Sequence, residues 1–160
     1  MMEFKMSYLS EMFYSLYRKL TGISPENREY THFLVCYLKC EDKVLLENTE
    51  VRGKRALLPI VVPVSPVCDL KSEFEKVQRV LGSMFGISSE QIELGYRPYT
   101  LFPLEEATYY VVTITIDGHQ SYMLESNHDY RLEIVPENYL SLNSDSNYFY
   151  QIYCIEKNIF

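Results

Sequence analysis

Nine consecutive residues from Ala56 to Val64, ALLPIVVPV, carry no charge and no hydroxyl, and with the helix after them they constrain the fold more than any other stretch. The run reads as one buried strand bounded by prolines. A loop with Ser65, Pro66 and Asp69 comes next, and then a helix over Leu70–Phe85. The apolar positions of that helix, Leu70, Phe74, Val77, Leu81 and Met84, are spaced four, three, four and three apart and make one inward stripe. Gly86 stands where a helix takes a left-handed stop, with Ile87 just beyond to pack back on it. Ser72 and Glu75 have capping-box spacing, and Glu75 and Arg79 stand four apart as for an ion pair.

The remaining elements group around this unit. Residues 6–21 predict an amphipathic helix with Leu9, Met12, Phe13, Leu16, Tyr17 and Leu20 on one side, ended by Gly22 and Ser24-Pro25. Its polar face is mixed in charge, so it is expected to dock on its own domain or on a second copy, not on a membrane. Tyr30–Cys40 reads as a strand, with Val44–Glu47 as its hairpin partner. Gln91–Thr100 reads as a strand and Thr108–Ile116, TYYVVTITI, as the strongest one. Asp117-Gly118 predicts a turn into a short hairpin with Ser121–Leu124. Arg131–Val135 is a short strand, and Pro136-Glu137-Asn138 opens a brief helix through Leu142. Asp145–Ile159 predicts a closing helix, with a strand as the alternative because of its tyrosines. The expected organisation is a single domain of 160 residues: an N-terminal helix over 1–22, a core over 30–142 and a C-terminal helix over 145–160.

Composition narrows the function classes. A net charge of −7 and a pI near 5.0 offer no basic footprint for general nucleic-acid binding. The local cluster of Arg52, Lys54 and Arg55 reads as a solvated hairpin tip. Fifteen tyrosines without a tryptophan suit half-buried sheet faces. Glu3, Glu11, Arg18 and Lys19 break up the first twenty residues, so no signal-peptide core and no membrane span are expected, and a cytoplasmic location is. Cys36, Cys40, Cys68 and Cys154 are then read as free thiols. No metal-ligand spacing joins them to His32, placed in a strand, or to His119 and His128, placed in turns.

The stretch from Ser65 to Ile87 resembles a Nudix box: Gly, five residues, Glu, seven residues, Arg-Glu-U-x-Glu-Glu-x-Gly-U, with U a bulky aliphatic. Anchored on Gly86-Ile87 without a gap, the pattern places its arginine on Arg79, its aliphatic on Leu81 and its opening glycine on Ser65, beside Pro63. The order of elements on either side also fits a Nudix protein over most of residues 30–142. The resemblance implies an α+β, Nudix-like α/β/α sandwich with a mixed, twisted sheet and an added N-terminal helix. It also implies where chemistry would lie, and there the sequence departs from the pattern. The upstream glutamate position is Lys71, the glutamate after the arginine is Val80, and the later Glu-Glu pair is Ser83-Met84. Hard divalent cations need oxygen ligands, ideally charged, and these residues supply one neutral hydroxyl. Glu73 and Glu75 point about 200° apart around the helix and cannot chelate together.

The expected function is therefore a catalytically degenerate Nudix-like protein, a ligand-binding or protein-interaction module with no catalytic residues, no metal and no cofactor. Its expected partners are a protein or a second copy, with a nucleotide-type small molecule as ligand. Arg55, Arg79 and Arg97 are the candidates for phosphate, and Tyr96 and Tyr99 for a base. Two alternatives stand beside it. One is a divergent Nudix hydrolase of a nucleoside diphosphate-linked substrate, with Mg²⁺ held from outside the helix by Glu105 and Glu106. The other is an unrelated α+β interaction domain.

Overall fold

β1 (His32–Cys40) is flanked on both edges, and the other strands take their places from it. The computed structural model describes residues 8–21, 32–51, 53–64, 70–95, 97–100, 108–126, 131–138 and 148–158. Along one edge β1 runs parallel to β6 (Thr108–Thr115), in register from His32↔Thr108 to Lys39↔Thr115. The other edge is shared. A hairpin with β2 (Lys43–Val51) pairs only Leu38–Cys40 with Lys43–Leu45, and the two strands then part. β3 (Lys54–Leu58) pairs with the part of β2 that has left β1, and β4 (Ile60–Val64) fills the edge of β1 that β2 has vacated. β5 (Ile92–Leu94) lies antiparallel to β6, and β7 (Leu132–Pro136) pairs with the outer edge of β2.

The apolar run Ala56–Val64 is thus two strands, not one. β3 runs toward the Glu41–Asp42 turn alongside β2, whereas β4 runs away from it alongside β1. The chain reverses at Pro59, which lacks the N–H that a continuous ladder would use. Periodicity conceals the break because both segments are buried or half-buried on either side of it.

Alternation across the sheet makes two cores. Leu34, Cys36 and Leu38 of β1 and Val112 and Ile114 of β6 face the first. It is closed by α1 (Tyr8–Thr21), α2 (Leu70–Phe85) and Leu124 of α3 (Gly118–Glu125). Phe33, Val35 and Tyr37, with Tyr109 and Val111, face the second, which Ile152, Tyr153 and Cys154 of α4 (Tyr148–Lys157) close. Helices on both faces of one mixed sheet define the α+β sandwich expected from the sequence.

α1 packs on α2 and β4, with Leu9 and Phe13 fully buried. Two polar contacts fix its entry. The Leu9 N–H donates to both carboxylate oxygens of buried Glu47 at 3.3 Å. The Ser10 hydroxyl accepts the Val61 N–H at 2.9 Å, a group on the side of β4 away from β1. The next N–H position on that side would be residue 63, a proline.

Two further expectations are corrected, and one alternative is decided. Asp117-Gly118 does not turn a hairpin: Asp117 caps α3, accepting the Gln120 N–H at 2.7 Å while the Gln120 side chain reaches back to the Asp117 N–H. That reciprocal capping box captures Ser121–Leu124 for a helix and places His119 in its first turn. Gln91 closes a short 3₁₀ turn, Ser89–Gln91, and the strand expected over Gln91–Thr100 is only β5 plus a bridge at Tyr99. The C-terminal segment is a helix, α4, so the strand alternative there falls. The Ser65–Asp69 loop, Cys68, His128 and the expected helix beyond Asn138 lie outside the described residues.

Candidate functional site

α2 spans the residues its apolar spacing predicts and ends at Gly86, whose φ of +65° is the left-handed stop and whose N–H returns to Gly82 O at 2.9 Å. Val77 and Leu81 are fully buried, and Phe74 and Met84 are half-buried against the same core. Val80 belongs to that core as well, at 1% exposure. The position that follows the arginine of a Nudix box therefore points at hydrocarbon, not at a cleft. Ser83 is exposed, and Met84 packs inward. The Lys71 side chain lies outside the described residues. This donor set does not fit Mg²⁺ or Mn²⁺, because one exposed hydroxyl cannot replace the charged oxygens a hard cation requires. Among the described residues no three His, Cys, Asp or Glu side chains are grouped to hold a metal.

The ion pair expected between Glu75 and Arg79 does not form. Both are exposed on α2 without an ion-pair partner among the described residues, so the Arg79 guanidinium faces solvent. Exposure explains this, since such a pair gains little against the side-chain entropy it costs.

Arg97 and Tyr99 come together away from α2. From Leu94 to Tyr99 the chain takes five residue steps where β6 takes three, from Val112 to Tyr109, so the segment bulges from the sheet edge. Gly95 anchors its start through an N–H bond to Val111 O at 2.7 Å, and Tyr99 closes it by exchanging two backbone bonds with Tyr109. The Tyr99 hydroxyl donates to the carboxylate of Glu156, which reaches over from α4. Burial first, and then the adjoining Glu156 carboxylate, push that hydroxyl up to about 12, with Arg97 drawing it down. Glu156 also lies against Gly95: a Cβ there would collide with the carboxylate and sit 3.1 Å from Val111 O. Glu156 lies 57 residues beyond Tyr99, and no local pattern in the sequence pairs them.

The remaining candidates are scattered. Arg55 lies in β3 with its side chain outside the described set, and Tyr96, Glu105 and Glu106 lie outside it entirely. A second polar group sits under α4. Glu137 accepts the Tyr153 hydroxyl at 2.7 Å and pairs with Lys39 at 3.1 Å. Burial, then this carboxylate, raises the Tyr153 hydroxyl well above the usual phenol range. The same two causes raise the Cys154 thiol, and burial pushes Cys36 up to about 12. The three described cysteines, Cys36, Cys40 and Cys154, are free. No described helix is long and apolar enough to cross a membrane.

A mixed sheet between helices, with a capped amphipathic helix after β4, defines the class of domain. Solved structures of similar shape include a MutT/Nudix family protein from Listeria innocua, at 12% identity over 74% of this chain and 84% of that one, with a TM-score of 0.44. An Ap4A hydrolase from C. elegans matches at 15% identity over 77% and 92%, with a TM-score of 0.40. No protein-family model matches the chain, and no curated protein does.

Proposed function

We propose that this chain is a catalytically degenerate Nudix-like protein that serves as a ligand-binding or protein-interaction module. The observation that supports the reading most directly is Val80, a core residue at the position where a Nudix helix carries a metal-binding glutamate. Without a divalent cation on that helix, a diphosphate keeps its charge and the attacking water keeps its proton. Arg97 and Tyr99, adjacent on the bulge, remain able to meet an anionic ligand without cleaving it.

The test is a panel of ADP-ribose, dinucleoside polyphosphates and nucleoside triphosphates, incubated with the full chain in Mg²⁺ or Mn²⁺ and resolved by chromatography. The expected result is no turnover above background. Turnover that survives Arg79→Ala and disappears in a Glu105→Ala/Glu106→Ala double variant would establish the divergent hydrolase instead.

A further inference from the structure

The geometry points to the bulge at Gly95–Tyr99 as an anion-binding subsite, for a phosphate or carboxylate group, that the chain's own Glu156 occupies. The inference rests on the ligand-binding half of the function proposed above and adds how access to that ligand is controlled. Two features meet at one carboxylate, and a third stands beside them. Gly95 leaves open the space a Cβ would fill, and Glu156 lies in it. The Tyr99 hydroxyl donates to the same carboxylate. The third is Arg97, solvent-exposed, whose positive charge acts on that hydroxyl. The Gly95 N–H is committed to Val111 O at 2.7 Å, so the donors offered to an anion are the phenol and the guanidinium.

Helix electrostatics do not explain the carboxylate's position. Glu156 stands in the last turn of α4, next to its final residue Lys157, where the partial negative charge of the helix end disfavours an acid. The hydrogen bond that the Tyr99 hydroxyl donates to the charged carboxylate offsets that disfavour. An incoming phosphate or carboxylate finds the phenol and the neighbouring Arg97 guanidinium but meets a like charge in the cradle, and it must displace Glu156 to bind. The site is therefore self-occupied, and binding is coupled to release of the end of α4 from the sheet.

Inorganic pyrophosphate and succinate, each titrated calorimetrically without added metal, are the probes. The intact chain is expected to bind both weakly. Glu156→Ala should bind one of them at least about tenfold more tightly, pyrophosphate if the cradle serves phosphates and succinate if it serves carboxylates. Adding Arg97→Ala or Tyr99→Phe should abolish the gain. Glu156→Gln, of the same shape, should show part of it and secures the comparison if the alanine variant folds poorly. A variant that folds, shown by an unchanged far-ultraviolet circular dichroism spectrum, yet binds neither probe more tightly would overturn the proposal and leave Glu156 as a structural staple. So would a gain that survives loss of both Arg97 and Tyr99. Hydrolysis in the substrate panel would sink the degenerate-enzyme reading without moving either result.

Discussion

A glutamate at Val80, the position where the resemblance to a Nudix box would have one, should break the protein and confer no activity. Val80→Glu places a carboxyl at a site 1% exposed, among Val77, Leu81 and the inner face of the sheet. Removing the buried valine forfeits about 1.5–3 kcal/mol of apolar burial. The carboxyl adds a further penalty of about 1–3 kcal/mol if it stays neutral and unpaired, and several kcal/mol more if it stays ionised. Set against the total stability of about 5–15 kcal/mol usual for a domain, the loss is severe. It should also depend on pH with a definite sign. Burial raises the carboxyl's folded pKa above its unfolded value of about 4.3, so between the two the folded state binds more protons and stability falls as pH rises. The deficit relative to the parent is therefore smallest below about pH 4 and grows by about 1.4 kcal/mol per unit until the folded pKa is passed. Urea denaturation of parent and variant at several pH values measures this directly. Ser83→Glu is the control, since its exposed site should change stability by no more than about 0.5 kcal/mol. A Val80→Glu protein as stable as its parent, with no pH-dependent deficit, would place Val80 at an open cleft and refute both the helix phase and the inert-box reading.

Leu81→Ala, at a fully buried position on the same helix, should cost about 2–5 kcal/mol in the same assay. Glu47→Ala should cost about 1–3 kcal/mol by leaving the Leu9 N–H buried without its acceptor, and should speed hydrogen exchange of the α1 amides more than those of β6. Thiol labelling of the native protein near pH 8 should reach half-buried Cys40 well before Cys36, whose thiol burial pushes up to about 12; rapid labelling of Cys36 would show that the core opens.

The parts legible in the sequence were those whose causes are local. The four-three spacing and Gly86 mark α2 because an amphipathic helix and its stop are written within one segment. The TYYVVTITI run marks β6 for the same reason. What was hidden depends on partners. Nothing in ALLPIVVPV says that its two halves have different neighbours, although Pro59 marks where the ladder must fail. Asp117-Gly118 carried two local codes, a hairpin turn and a capping box with Gln120, and the second prevailed because Leu124 gains a place in the core. The two ends of the Tyr99–Glu156 contact lie on a sheet edge and a helix brought together only by the fold.

The outer side of β4 has a consequence for how the protein survives at high concentration. But for its proline, IVVPV is the kind of short, uncharged, β-prone segment that recruits identical strands into growing ladders when its edge is available. Growth needs donors at alternate positions. At residue 63 a proline offers none, and at residue 61 the N–H is held by Ser10. This apolar segment thus offers almost no donor on its outer side, so it can remain wholly apolar, as the core requires, without a charged gatekeeper beside it.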